Sequence, residues 1–336
     1  MAYKIDANGT LDLGAMRVPV PTTVSAEARA FLAAPPWRGG PPPEGPTALW
    51  EARAAIDTVL AQLNEAVRAI YPVDIEEVTI GGVRCHHVRP REVVSFGDRR
   101  PILINMHGGG FVLGSGSLVE AIPIAHLSGI PVLSVDYRLT PEHPFPAATD
   151  DVAAVYQAVL EHYLSRDVGI YGSSAGGFLT GQATMRFKLE GLPLPACLGI
   201  FTAGGDLSDL GDSAQIFTLA GFWGERILPS DHALSEIRAY VGNADIQNPL
   251  ISPARGDLSG FPPTLLVTGT RDAMLSSTVL MHRALTRAGV AADLHVFEAM
   301  THAHWYNIRL PEGREAIEIM VRHFKRYLVD AGPSSR

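Results

Sequence analysis

Gly172-Ser173-Ser174-Ala175-Gly176 follows the short apolar run Val168-Gly169-Ile170-Tyr171 and opens a stretch, residues 175–189, that reads as helix. Ser174 therefore sits where a strand turns sharply into a helix, the setting of a nucleophile elbow. Such a turn holds its serine in a strained backbone conformation, and glycines two residues to either side let neighbouring chain pass without a Cβ in the way. A serine hydroxyl is a weak nucleophile at neutral pH. The reading therefore requires a histidine base, an acid to orient it and donors for an oxyanion.

Outward from the elbow, apolar strand-like runs recur at residues 76–80, 83–88, 102–106, 132–135, 168–171, 196–202, 264–268 and 294–297. The first two suggest a hairpin through Gly81-Gly82. Helical patterns lie between most of the later runs, at 147–163, 175–189, 276–288 and 314–328. This alternation predicts an α/β fold: a mostly parallel eight-stranded sheet with helices on both faces. Residues 1–72 differ, with Ala-rich and Pro-rich pieces separating a short helix near 25–32 from a longer one at 46–70, and with no strand signal. Residues 204–253 hold helix-like pieces but no convincing strand. We expect 1–72 and 204–253 to form a helical cap, and 73–203 and 254–336 to form the catalytic core. No internal repeat suggests a solenoid.

Composition narrows the function classes. The chain has 336 residues, 46% hydrophobic and 18% charged, enough for one large core plus an accessory region. Its formal net charge is -8 and its only lysines are Lys4, Lys188 and Lys325, so no basic run is available to neutralise a phosphate backbone. Nucleic acid is not an expected partner. The first residues lack a basic segment followed by an apolar one, and no apolar stretch approaches bilayer length, which predicts a cytoplasmic protein without membrane insertion. Cys85 and Cys197 are too few for a disulfide framework and are not spaced as metal ligands. They read as buried thiols.

The oxyanion candidate is His107-Gly108-Gly109-Gly110-Phe111, directly after the run 102–106. Consecutive glycines there can aim backbone N–H groups into a concave site, so the N–H groups of Gly108, Gly109 and Ala175 are the expected oxyanion donors. The acid candidate is Asp272, just beyond the seventh run, although a turn aspartate or helix cap alone would be commoner. The base candidate is His302, after the eighth run, with His304 as its competitor. The order serine, aspartate, histidine is the one α/β-hydrolases use. Two histidines one residue apart also resemble a metal pair, but no further ligands of matching spacing accompany them, so no metal is expected. His86, His87 and His143 read as structural or surface residues.

Taken together, His107-Gly108-Gly109-Gly110-Phe111, Asp136-Tyr137-Arg138-Leu139-Thr140-Pro141-Glu142, Pro144-Phe145-Pro146-Ala147-Ala148 and the elbow at Ser174 resemble the hormone-sensitive-lipase family of α/β-hydrolases. The resemblance runs from about residue 75 to the end. It implies a carboxylic ester hydrolase with no metal or organic cofactor, a triad of Ser174, Asp272 and His302, a preference for short acyl chains, and a possible homodimer paired through the sheet edge near the last strand. It further implies that Asp136, Tyr137, Arg138 and Glu142 brace the site wall, with a purely structural turn as the equal alternative. The chain departs from the pattern at Ser173, where relatives commonly carry Asp or Thr. It departs again at Ala273 in place of Pro, and at Ala303-His304 in place of Gly-Phe. None of these changes removes a catalytic group.

The expected substrate is therefore a small carboxylic ester; a lactone or an acetyl ester would suit the same triad. Phe31, Trp37, Trp50, Phe217, Phe222 and Trp223 could line an apolar pocket, or could simply form cap core. A non-catalytic ligand receptor on the same fold is the alternative from another class, and a peptidase or acyltransferase could use the same groups. A receptor would be expected to have lost a triad member. This chain retains all three.

Overall fold

The computed structural model describes residues 4–5, 11–12, 18–34, 45–92, 94–219, 221–222 and 232–330, with backbone alone at 4–5, 11–12, 45–46, 222 and 232–235. In chain order the elements begin with β1 (Lys4–Ile5), β2 (Leu11–Asp12), α1 (Ala26–Ala33), α2 (Gly45–Ile70), β3 (Val73–Ile80), β4 (Val83–Pro90) and β5 (Ile102–Met106). There follow α3 (Ala121–Ser128), β6 (Val132–Val135), α4 (Ala147–Leu160), β7 (Val168–Ser173), α5 (Ala175–Glu190) and β8 (Cys197–Phe201). The chain continues through β9 (Phe217–Thr218), β10 (Gly221–Phe222), α6 (His232–Val241), β11 (Thr264–Gly269), α7 (Leu275–Arg287), β12 (Ala292–Phe297) and α8 (Pro311–Leu328).

Eight strands form one sheet in the order β12-β11-β8-β7-β5-β6-β4-β3. The β3–β4 and β4–β6 pairs are antiparallel and the others parallel. Strands β5, β6, β7, β8 and β11 are buried along their whole length, as expected of parallel strands covered on both faces. Alternate residues feed different cores. Ile102, Ile104 and Met106 pack with Val152 of α4, Phe178 of α5 and Met281 of α7. Leu103 points the other way, into a cluster with Ile122 of α3 and Phe324 of α8. Cys85 and Cys197 are free and buried, and burial pushes the Cys85 thiol up to about 12.

Three local features differ from the sequence-based expectation. Helix α3 is not among the helices expected from periodicity: Ala121, Ile122, Pro123, Ile124 and Ala125 are buried in succession, so this stretch shows no amphipathic stripe. A two-residue antiparallel pair, β1–β2, lies in the amino-terminal region where no strand was expected. Another, β9–β10, lies within 204–253. Both are too short to leave a periodic signal.

Two segments outside the sheet reach the loops at its carboxyl end. Arg53 of α2 donates from Nε to Val112 O at 2.9 Å and from Nη2 to Thr140 O at 2.7 Å, and pairs with Glu142 at 2.6 Å. Tyr240 of α6 stacks on Phe111 with ring centroids 3.9 Å apart. At the amino-terminal side, Ser25 caps α1 and is held by the Glu312 carboxylate of α8 at 2.7 and 2.8 Å.

Candidate active site

Strand β7 runs straight into α5, and Ser174 occupies the single residue between them with φ 56° and ψ -122°. This is strained for a residue with a side chain, a conformation that surrounding structure must impose. The imposing contacts are backbone ones. A Cβ on Gly176 would lie 1.9 Å from Met106 O, and one on Gly172 would lie 2.5 Å from the same oxygen, so the elbow closes against the end of β5 only because both positions are glycine. Ser174 N donates to Phe201 O at 2.9 Å, tying the turn to β8.

The loop after β5 lies beside the serine. A Cβ on Gly108 would stand 3.4 Å from Ser174 Cβ and 3.1 Å from Ser173 O. Gly109 has φ +120°, and its carbonyl accepts from Val112 N at 3.0 Å and Leu113 N at 2.9 Å, closing a tight turn. Ala175 is the first residue of α5, so its N–H is among the free amides of a helix amino terminus. His107 sits under this loop as a structural residue. Its Nδ1–H donates to Gly108 O at 2.7 Å, its ring stacks on Tyr137 at 4.3 Å, and Tyr137 Oη donates to His107 O at 2.7 Å. Burial lowers the His107 pKa, keeping the ring neutral. The other wall residues are similarly engaged: Asp136 accepts from Gly116 N at 2.8 Å and pairs with Arg84 and His86, and Arg138 pairs with Asp151.

Asp272, on the turn after β11, and His302, on the loop after β12, meet at the carboxyl ends of their strands. His302 Nδ1 lies 2.8 Å from Asp272 Oδ1, which fixes the tautomer with the proton on Nδ1 and leaves Nε2 as the basic nitrogen. Nε2 is buried and has no hydrogen-bond partner among the described residues. Asp272 is fully buried, and its remaining lone pairs accept from Thr268 Oγ1 at 2.8 Å, Met274 N at 2.9 Å and Thr202 Oγ1. His304 makes no contact with Asp272's oxygens; it packs against Phe297 and Trp305, and burial pulls it down to about 4.

Sequence reasoning missed several residues of this site. Thr202 lies just beyond β8 and Thr268 is the penultimate residue of β11, and a threonine near a strand's carboxyl end was their only signal. Glu120 is buried behind the elbow and accepts from Ser173 Oγ. A lone acid within the apolar run 118–125 marked it. Glu236 of α6 approaches the oxyanion loop, since a Cβ on Gly110 would lie 2.2 Å from its Oε2, and burial raises its pKa to about 7. Of the aromatic pocket candidates, Trp50 is 69% exposed, Phe31 lies on the surface and Phe217 packs against the core; Trp37, Trp223 and the Phe222 side chain lie outside the described residues. Among the described residues, no group of three or more His, Cys, Asp or Glu side chains is arranged to hold a metal ion, and no helix is long and apolar enough to cross a membrane.

The fold recurs in known proteins. A family model for the alpha/beta hydrolase fold matches residues 103–306. An acetyl-hydrolase of Streptomyces hygroscopicus is 33% identical over 246 residues, covering 72% of this chain and 79% of the relative. Among solved structures, esterase E25 superposes with a TM-score of 0.83 at 32% identity, covering 94% of this chain and 98% of that one. A hormone-sensitive lipase from a metagenome library gives a TM-score of 0.73 at 29% identity, covering 89% and 94%. Fold, motifs and relatives agree that the chain belongs to the α/β-hydrolase family, on its hormone-sensitive-lipase branch.

Proposed function

We propose that the protein is a serine carboxylesterase that hydrolyses small, short-acyl carboxylic esters, with Ser174 as nucleophile, His302 as base and Asp272 as its orienting acid. The observation that carries the reading is the Asp272–His302 contact of 2.8 Å at the same end of the sheet as a strained serine whose neighbour across the turn is Gly108. Ser174 Oγ attacks the ester carbonyl as His302 Nε2 takes its proton, and Asp272 stabilises the resulting imidazolium. The N–H groups of Gly108, Gly109 and Ala175 receive the oxyanion. His302 returns the proton to the leaving alcohol, giving an acyl-enzyme, and a water activated by the same histidine releases the acid. The name acetyl-hydrolase of the Streptomyces relative supports acetyl esters as part of this substrate class.

Residues 1–72 and 204–253 form the cap in this reading, supported by Arg53 reaching Val112 and Thr140 and by Tyr240 stacking on Phe111. A cytoplasmic location and a homodimer are part of the same proposal, the pairing drawing on the position of β12 at the end of the sheet. Hydrolysis of p-nitrophenyl esters from acetate to laurate tests the assignment. The wild type is expected to turn over the short chains rapidly, and Ser174→Ala to fall to near background. A folded Ser174→Ala protein with wild-type turnover would refute it.

A further inference from the structure

Glu120 takes no part in the hydrolysis described above, yet it is 3% exposed and stands at the entry to α3. Its Oε1 accepts from Ser173 Oγ and from Trp305 Nε1 at 2.7 Å, and its Oε2 accepts a longer bond from Asn105 Nδ2 at 3.4 Å. The Asn105 amide orientation is set by its other end, where Oδ1 accepts from Ser134 Oγ at 3.1 Å. Each donor belongs to a different part of the site. Ser173 precedes the nucleophile, Trp305 follows His302 by three residues, and Asn105 lies two residues before the oxyanion loop begins at His107.

We propose that Glu120 is a positioning residue: its buried carboxyl group holds the nucleophile elbow, the histidine loop and the oxyanion strand in mutual register. The proposal rests on the serine-esterase reading above. Trp305 Nε1 and Asn105 Nδ2 can only donate and Ser173 Oγ is a hydroxyl, a set that two carboxyl oxygens satisfy and that the NH2 end of an amide does not. If packing alone were at stake, an apolar side chain would stabilise such a site better than a carboxylate. The departure at Ser173 fits the same logic, because an aspartate there would face Glu120 with like charge, whereas the hydroxyl donates. Burial raises the Glu120 carboxyl pKa above its ordinary value, and hydrogen bonds from Ser173, Trp305 and Asn105, with the nearby His302, offset only part of that rise. The other titratable groups facing it are Tyr171 of β7 and Tyr306 beside Trp305, both kept neutral by burial. His302 itself faces Asp272 and the Thr202 hydroxyl.

The test is kcat and KM, measured separately for p-nitrophenyl butyrate in wild type, Ser174→Ala, Glu120→Gln and Trp305→Phe, with thermal unfolding of each. An inactive wild type, or an active Ser174→Ala, would fail the esterase reading itself; the inference is read from the other two variants against an active wild type. In Glu120→Gln, kcat is expected to fall about tenfold to a hundredfold with KM within about twofold. A folded Glu120→Gln protein whose kcat stays within about threefold of wild type, or whose KM rises as far as its kcat falls, overturns the inference, since a residue that only supports the fold would not lower kcat alone. Trp305→Phe keeps the buried ring and removes only the Nε1–H donor, and is expected to lose about tenfold in kcat at unchanged KM. Should Glu120→Gln not fold, wild-type kcat in Trp305→Phe overturns the inference.

Discussion

Replacing Gly109 by alanine separates the oxyanion loop from everything else in the site. The new Cβ would stand 2.1 Å from Leu113 O and 2.6 Å from Leu113 C, and both are backbone atoms that cannot swing aside as a side chain would. The residue would also have to hold φ +120°, a conformation L side chains rarely adopt. Relief requires opening the turn that Val112 N and Leu113 N close onto Gly109 O, a movement of about 1 Å if normal van der Waals separation is to be restored. In the proposed mechanism that displacement misdirects an N–H that receives the tetrahedral intermediate. Loss of one such donor costs about 3 kcal/mol of barrier, so kcat should fall by about a hundredfold or more with little change in KM. Gly108→Ala provides the graded control. Its Cβ would meet Ser173 O at 3.1 Å and Ser174 Cβ at 3.4 Å, contacts that a small shift absorbs, and about a tenfold loss is expected. The assay is p-nitrophenyl butyrate hydrolysis, normalised to reactive sites by titration with a phosphonate ester and accompanied by thermal unfolding. A folded Gly109→Ala protein with kcat within about threefold of wild type would refute the assignment of this loop, because misplacing an oxyanion donor costs far more than that.

Three further outcomes follow from the geometry. His302→Ala should lose at least about a thousandfold in kcat, whereas His304→Phe should stay active, because only His302 contacts Asp272; comparable losses in both would refute the assignment of roles. His304→Phe also has a stability signature. Burial holds His304 at about 4, while the unfolded chain protonates it near the ordinary value of about 6.5, so protons favour unfolding and stability declines as pH falls through that window, by on the order of 3 kcal/mol in all. The variant should lose that part of the decline, as read by urea unfolding at pH 7.5 and pH 5. Arg53→Ala removes donors to Val112 O, Thr140 O and Glu142, which should lower stability by about 1–3 kcal/mol and raise KM more than it lowers kcat. Unchanged unfolding and kinetics would show that the α2 contact holds nothing in place.

Much of this protein was legible because its signals are local. Five strands buried on both faces appear as short continuous apolar runs, and the elbow and oxyanion loop appear as glycines that only a close backbone approach requires. Gly176 shows why: its identity is dictated by Met106 O, which a Cβ would approach to 1.9 Å. Helix α3 escaped notice for the opposite reason, since burial in succession over residues 121–125 erases the periodicity by which helices are recognised. Thr202 and Thr268 were read as ends of strands, because nothing in their immediate neighbours reveals a carboxylate arriving from the turn at Asp272.

The fold class, the chain order of the eight sheet strands, and the residue types able to supply nucleophile, acid, base and oxyanion donors are legible in the sequence, because backbone conformation and burial pattern leave their marks within a few residues. Which histidine meets Asp272, the latch of Arg53 from α2 onto the loops at Val112 and Thr140, and the gathering of Ser173, Asn105 and Trp305 around the Glu120 carboxyl all depend on how distant segments pack. Glu120 and Trp305 are 185 residues apart in the chain. A hydrogen bond acts over about 3 Å of space, and sheet order, not sequence spacing, sets which side chains come within that reach.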